Sequence, residues 1–131
     1  MEEALKAYCE DDLIIEPPCY ADNMYDIFEA FIHTGFNMNK ETPLEKLQDD
    51  FPYIANENLL KLIEYFKSAI EYCEGVCCVF ATIYPYVVIP NTDKAHEDIK
   101  HVINACKKRY PWIKPEYISS LLVGVVAMCN R

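Results

Sequence analysis

The sequence predicts an all-α protein, a compact bundle of five to seven helices. Apolar residues recur at the helical period of about 3.6 residues along most of the 131-residue chain. The stretch Phe51-Pro52-Tyr53-Ile54 also recurs 59 positions later as Tyr110-Pro111-Trp112-Ile113. Helical patterns precede and follow both copies, so we expect an internal helix-joint-helix repeat over about residues 42–74 and 94–131. Duplication and chance remain equal explanations of this repeat.

The first third of the chain predicts a short helix, an extended linker and a longer helix. Leu5, Tyr8 and Cys9 give residues 2–10 a short apolar stripe. Pro17 and Pro18 then favour extended backbone, because proline disfavours helix in the residue before it. A longer stripe follows and ends near Gly35, at a position typical of helix termini. Its members are Met24, Ile27, Phe28, Phe31 and Ile32.

The middle third predicts two helices on either side of the first joint. Thr42 and Glu45 form a capping box with Pro43 at the first helical position, so a helix should begin there and end before Pro52. The next helix begins near Asn56 and carries a long apolar stripe. Its members are Leu59, Leu62, Ile63, Phe66, Ile70 and Cys73.

Residues 76–84 are apolar and rich in β-branched and aromatic side chains, so strand and buried helix compete there. We favour helix, because no partner strand is visible and a lone strand leaves its backbone unpaired. A further helix should begin at Asp93. The last helix, from Glu116 to about Cys129, is apolar almost all round, which predicts a central buried position. Gly124 should then let a neighbouring helix approach closely.

No Gly/Ser-rich linker divides the chain, so we expect a single helical domain over residues 1–131. The amino terminus lacks the basic and apolar regions of a secretion signal. The longest apolar stretches, 76–89 (interrupted by Pro85) and 121–129, are shorter than the roughly 20 residues that span a bilayer. We therefore expect a cytoplasmic protein that does not enter a membrane.

The net charge of −9 is unevenly distributed. Through Glu57 there are 14 acidic and 3 basic side chains, whereas the remainder has 7 acidic and 9 basic ones. The only basic run, Lys107-Lys108-Arg109, fits a helix carboxyl terminus, where cations complement the dipole. We therefore expect no nucleic-acid partner. An acidic face can attract a basic protein, or it can simply keep a small domain soluble.

The seven cysteines include no C-x-x-C pair. Cys73 and Cys77 lie one helical turn apart and could share a soft metal ion with a third ligand. Cys73, Cys106 and Cys129 nevertheless fall on apolar stripes, where a free cysteine behaves as a small hydrophobic residue. The odd number and a reducing compartment also disfavour a disulfide framework. We expect no metal and no cofactor, and we keep a metal or redox sensor using Cys73, Cys77 and Cys78 as an alternative.

Motifs for catalysis are missing from the sequence. There is no G-x-S-x-G elbow and no G-x-x-x-x-G-K phosphate loop, and the chain has only three glycines. His96 and His101 lie five positions apart, which does not bring two imidazoles together on one helix face. Asp49 and Asp50 are adjacent and so point in different directions. We expect no catalytic residues and predict that the protein is not an enzyme.

Size and acidity favour a small protein-binding domain, by analogy with immunity proteins and antitoxins that inhibit a basic partner protein. Tyr53 and Trp112 are candidate anchors, since such rings bury large area at interfaces; alternatively, each packs under its own helical corner. A homo-oligomeric structural or regulatory domain, with 76–89 or the joint aromatics as its dimer surface, is the alternative function. The candidate partner-binding residues are Asp11, Asp12, Glu16, Asp49, Asp50, Tyr53 and Trp112.

Overall fold

The computed structural model describes residues 3–11, 13–19, 21–36 and 43–130, and the side chains of all of these except 34–36. These residues form helices and no strands, which confirms the all-α prediction and the expected number of helices. The six helices are α1 (Glu3–Glu10), α2 (Met24–Phe36), α3 (Pro43–Asp50), α4 (Asn56–Ile83), α5 (Asp93–Arg109) and α6 (Pro115–Cys129).

The helices pack into two units. We call residues 16–69 the middle unit and residues 1–15 with 70–131 the terminal unit. The long helix α4 contributes residues 56–69 to the former and 70–83 to the latter.

The core of the middle unit consists of the apolar stripes predicted for α2 and α4. The Phe66 ring on α4 contacts Phe28 and Phe31 on α2, with ring centroids 5.4 Å and 5.8 Å away. Helices α2 and α3 contact each other, and Leu47 on α3 is fully buried. The capping box predicted for α3 starts at Thr42, which lies outside the described residues; the helix itself begins at Pro43.

In the terminal unit, α1 and α6 both contact α5. Residues 76–83 are helical, as expected, and form the end of α4, and Tyr84 follows the helix. Phe80 stacks on Tyr84 with centroids 4.6 Å apart, and the Tyr84 hydroxyl donates a 2.5 Å hydrogen bond to Asp98 Oδ2 on α5. Asp98 is only 4% exposed, so the terminal unit has a polar contact inside its core.

The two joints have the same local structure, which confirms the helix-joint-helix repeat. The backbone N–H of Phe51 donates to the carbonyl four residues earlier, and Ile54 N–H donates to Phe51. Tyr110 and Ile113 make the equivalent two bonds 59 positions later. Each joint also brings two aromatic rings into an edge-to-face contact at a centroid distance of 6.2 Å.

Helix α6 departs from the prediction of a central buried helix. Only Ile118, Leu122 and Val126 are buried, whereas Val123 is 59% and Met128 74% exposed. Among the described residues, nothing lies within 4 Å of a Cβ placed on Gly124, so the predicted close approach of another helix is also wrong. An apolar helix can bury any of its faces, and α5 covers only one face of α6.

The basic run at the end of α5 forms hydrogen bonds and an ion pair with other parts of the terminal unit. Lys107 Nζ donates to the carbonyl of Ile113 at 2.9 Å, and Lys108 Nζ donates to the carbonyl of Cys9 at 3.1 Å. The Arg109 guanidinium pairs with Asp11 and lies 4.1 Å from the ring centroid of Tyr72. These three cations therefore have specific contacts in addition to any interaction with the helix dipole.

Candidate functional site

The middle unit has a strongly acidic surface. Its sequence contains ten acidic and four basic side chains, a net charge of −6. Every acidic side chain in the described part of this unit is exposed. These residues are Glu16, Asp22, Asp26, Glu29, Glu45, Asp49, Asp50, Glu57 and Glu64.

Three of these carboxylates each form an ion pair with a lysine of their own helix. Lys46 pairs with Asp50 at 3.0 Å, and the corresponding contacts on α4 are Lys61 with Glu57 at 3.6 Å and Lys67 with Glu64 at 3.5 Å. These are the three lysines in the part of the middle unit that the structure describes. Such exposed pairs contribute about 0.3–0.5 kcal/mol each.

Acidic residues before α2 and on its outer face are absent from the partner-binding residues that the sequence predicts. Asp26 and Glu29 lie three positions apart on α2, opposite the buried Ile27 and Phe28, and Asp22 lies two residues before the helix. Within the described residues, Asp26, Glu29 and Asp49 take part in no ion pair. This spacing is visible in the sequence, but charged residues opposite an apolar stripe also form the ordinary solvated face of a helix.

Tyr53 connects the first joint to the start of α2. Tyr53 is 68% exposed, and its hydroxyl accepts a 2.6 Å hydrogen bond from Asn23 Nδ2. Asn23 follows Asp22 in the chain and immediately precedes α2, whose first turn contains Asp26. The fold thus brings a surface aromatic ring from the joint to the acidic end of α2. We use the name acidic surface for Tyr53 and Asn23 together with five exposed carboxylates of the middle unit, Asp22, Asp26, Glu29, Asp49 and Asp50.

The remaining candidate residues have different surroundings. Asp11 lies in the terminal unit, where it pairs with Arg109 and accepts the backbone N–H of Leu13 at 3.0 Å. The hydrogen bond from Leu13, followed by the Arg109 charge, lowers the pKa of Asp11. Trp112 is half-buried, edge-on to Tyr110. Glu16 is exposed, and Asp12 lies outside the described residues.

The thiols are arranged in pairs that the sequence did not indicate. Cys73 and Cys106 are fully buried and hydrogen-bonded to each other; the contact and burial raise the pKa of Cys106. Cys78 and Cys129 are exposed and also hydrogen-bonded. Across the described residues, no group of three or more His, Cys, Asp and Glu side chains is arranged to hold a metal ion.

One further polar groove runs along α5. It has a volume of about 650 Å³ and is lined by side chains from this helix alone. His101 Nε2 lies 3.8 Å from Glu97 Oε1 within it. A groove along one helix has no second element to position a ligand, so we do not regard it as a site. The residues that line it are Asp93, His96, Glu97, Lys100, His101 and Asn104.

No membrane-crossing helix is found in the described ranges, since none of the helices there is both long and apolar enough. Comparison with protein-family models, curated proteins and solved structures finds no match to this chain.

Proposed function

We propose that the protein is an acidic binding domain that captures a basic protein through the acidic surface of its middle unit. The observation that carries this proposal is the position of Tyr53, a largely exposed ring held by Asn23 beside the acidic face of α2. Tyrosine is enriched among residues that dominate binding energy, because it buries a large area and keeps a polar tip.

The charge of this surface favours the chemistry of the partner. Carboxylates repel the phosphates of nucleic acids, whereas they attract lysine and arginine side chains and accelerate the arrival of a basic protein. Asp26, Glu29 and Asp49 have no ion pair among the described residues, so an incoming cation would not have to displace a lysine of this chain. Covering a basic functional surface would inhibit the partner, which is the immunity-like role expected from the sequence.

Affinity capture from a lysate of the native host, with two charge-reversed baits, tests this proposal. The first bait carries Asp26→Lys and Asp49→Lys in the acidic surface. The matched control carries Glu71→Lys and Glu74→Lys, which reverse two exposed carboxylates of the terminal unit and change the net charge equally. We expect the wild type and the control to retain the same basic protein at low salt and the first variant to lose it. Equal retention by both variants would contradict the proposal.

The role of Tyr53 can be tested separately with the captured partner. Tyr53→Ala should weaken binding by about 2 kcal/mol if the ring is an interface anchor. Tyr86→Ala is the matched control, because Tyr86 is 57% exposed and belongs to the terminal unit. Equal affinities for the two variants, measured by calorimetry, would remove Tyr53 from the interface.

A second candidate function, a homodimeric structural or regulatory domain, is favoured by the exposed face of α6. Val123 and Met128 are apolar residues with more than half of their surface exposed. In the alternative dimer segment 76–89, the exposed large hydrophobic side chains are Tyr86, Val87 and Val88. We expect Val123→Glu to abolish a dimer seen by light scattering if α6 forms the interface. A wild type that stays monomeric at high concentration would reject this function.

A further inference from the structure

The exposed thiol pair links two helices of the terminal unit that are distant in sequence. Cys78 lies on α4, and Cys129 is the last residue of α6. Both are exposed, and their side chains are hydrogen-bonded to each other. The hydrogen bond brings the two sulfur atoms close together, and proximity of the two cysteines is the first geometric requirement for a disulfide.

A separate contact holds the two helix ends together. Asn130 follows Cys129, and its Nδ2 atom donates towards three carbonyl oxygens in the last turn of α4 and just after it. The distances are 3.3 Å to Ala81, 3.2 Å to Tyr84 and 3.1 Å to Tyr86. Cys78 lies one helical turn before Ala81 on the same helix, so the amide of Asn130 keeps Cys129 beside it without any bond between the sulfur atoms.

The buried pair provides an internal comparison. Cys73 and Cys106 are also hydrogen-bonded to each other, but both are fully buried. A dissolved oxidant reaches an exposed thiol and not a buried one, because attack requires access to the sulfur atom. The two pairs should therefore differ in reactivity although both have sulfur atoms in contact.

We propose that Cys78 and Cys129 form a redox-active dithiol that a small disulfide, such as glutathione disulfide, oxidises to an intramolecular disulfide. The Cys129 thiolate attacks one sulfur atom of glutathione disulfide, forms a mixed disulfide and expels a glutathione thiolate, which takes up a proton. The Cys78 thiolate then attacks the Cys129 sulfur of the mixed disulfide and expels the second glutathione thiolate. The protein loses two electrons and two protons, and two molecules of reduced glutathione form.

The order of the two attacks follows from the surroundings of Cys78. Partial burial, together with the charge and hydrogen bond of Cys129, raises the pKa of Cys78 above its ordinary value. A raised pKa leaves a smaller fraction of Cys78 as thiolate, so we assign the first attack to Cys129 and the resolution of the mixed disulfide to Cys78. This dithiol lies in the terminal unit and is independent of the proposed binding of a basic partner.

Peptide mapping after equilibration with mixtures of oxidised and reduced glutathione tests the proposal. Trypsin separates Cys129, in peptide 110–131, from Cys106, in peptide 101–107. A second protease that cuts after Glu74 then separates Cys73 from Cys78 within peptide 68–94. The same protease also cuts after Glu116, so we expect a cross-link between 75–94 and 117–131 whose yield rises with the proportion of oxidised glutathione. A cross-link to 101–107, a disulfide-linked dimer or a persistent mixed disulfide on Cys129 would overturn the proposal.

Three variants identify the reacting atoms. Cys78→Ser should abolish closure and accumulate glutathione on Cys129, because the resolving thiol is missing. Cys77→Ala should keep closure, since Cys77 is buried next to Cys78 in the chain. Asn130→Ala should lower the yield of closed protein several-fold at a fixed glutathione ratio, with an unchanged helical circular dichroism spectrum. Wild-type levels of cross-link in the Cys78→Ser protein would overturn the assignment, and unchanged closure in Asn130→Ala would overturn the part given to Asn130.

Discussion

Replacing Tyr84 by phenylalanine should destabilise the protein, because the change removes one hydroxyl and leaves the buried carboxylate of Asp98 without that hydrogen-bond donor. The Tyr84 hydroxyl donates a 2.5 Å hydrogen bond to Asp98 Oδ2. Both residues are buried, with Tyr84 7% and Asp98 4% exposed. The aromatic ring remains in the variant, so its stacking on Phe80 is kept and the hydroxyl alone is tested.

The expected magnitude follows from the cost of an unsatisfied acceptor. A hydrogen bond to a charged group contributes about 1.5–3 kcal/mol to stability, and a buried acceptor left without a donor keeps its desolvation penalty. We therefore expect the free energy of unfolding to fall by about 2 kcal/mol. Unfolding entropy is about 2.1 cal/mol/K per residue, or about 0.28 kcal/mol/K for 131 residues. A loss of about 2 kcal/mol should therefore lower Tm by about 7 °C.

Urea unfolding monitored by circular dichroism measures this difference, with Tyr86→Phe as the control. Tyr86 follows two residues later and is 57% exposed, so loss of its hydroxyl should change the free energy of unfolding by less than about 0.5 kcal/mol. Combining Tyr84→Phe with Asp98→Ala should cost less than the sum of the two single changes, because both remove the same contact. Equal stabilities of the two phenylalanine variants, or an additive double variant, would refute this reasoning.

Two further predictions concern the terminal unit. Gly75→Ala should raise the free energy of unfolding by about 0.5–1 kcal/mol, because α4 continues through Gly75 and an added Cβ would meet Tyr8 Oη at an ordinary 3.5 Å; a lower urea midpoint would contradict this. Burial raises the pKa of Cys77 above 9.0, and burial, opposed in part by the charge of Arg109, raises that of Tyr72 to about 12. Both groups ionise first in the unfolded chain, so their stabilisation is complete below about pH 9 and is lost as pH rises towards 12. Unfolding midpoints at pH 8, 9 and 10 should fall in the wild type and fall less steeply in Cys77→Ala.

The helices could be predicted from the sequence because their signals are local. The stripes of α2 and α4 use the helical period, and the aromatic-proline joints make the same backbone hydrogen bonds in both copies. The buried face of α6 could not be predicted, because that helix is apolar almost all round. Packing against the neighbouring helices determines that Leu122 is buried and Val123 is exposed. The division into two packing units has no compositional marker, since α4 passes from one to the other without a break.

The candidate site was predicted in part. Asp49, Asp50 and Tyr53 are neighbours in sequence, and the structure places all three in the middle unit with exposed side chains. The contact of Tyr53 with Asn23 spans 30 positions and had no local signal. Asp11 looked like a surface carboxylate, but its partner Arg109 is 98 positions away in the chain. Contacts of this range arise from tertiary packing, which a periodic pattern does not encode.

The salt dependence of association with the captured basic partner tests the central claim most directly. Association rate constants should be measured by stopped flow from low to physiological salt for the wild type, for Asp26→Lys/Asp49→Lys and for the control Glu71→Lys/Glu74→Lys. Electrostatic steering predicts rates for the wild type that fall steeply as salt rises. We expect the first variant to associate more slowly with a flatter salt dependence, and the control to resemble the wild type. Identical rates and slopes for the two variants would contradict a binding role for the acidic surface.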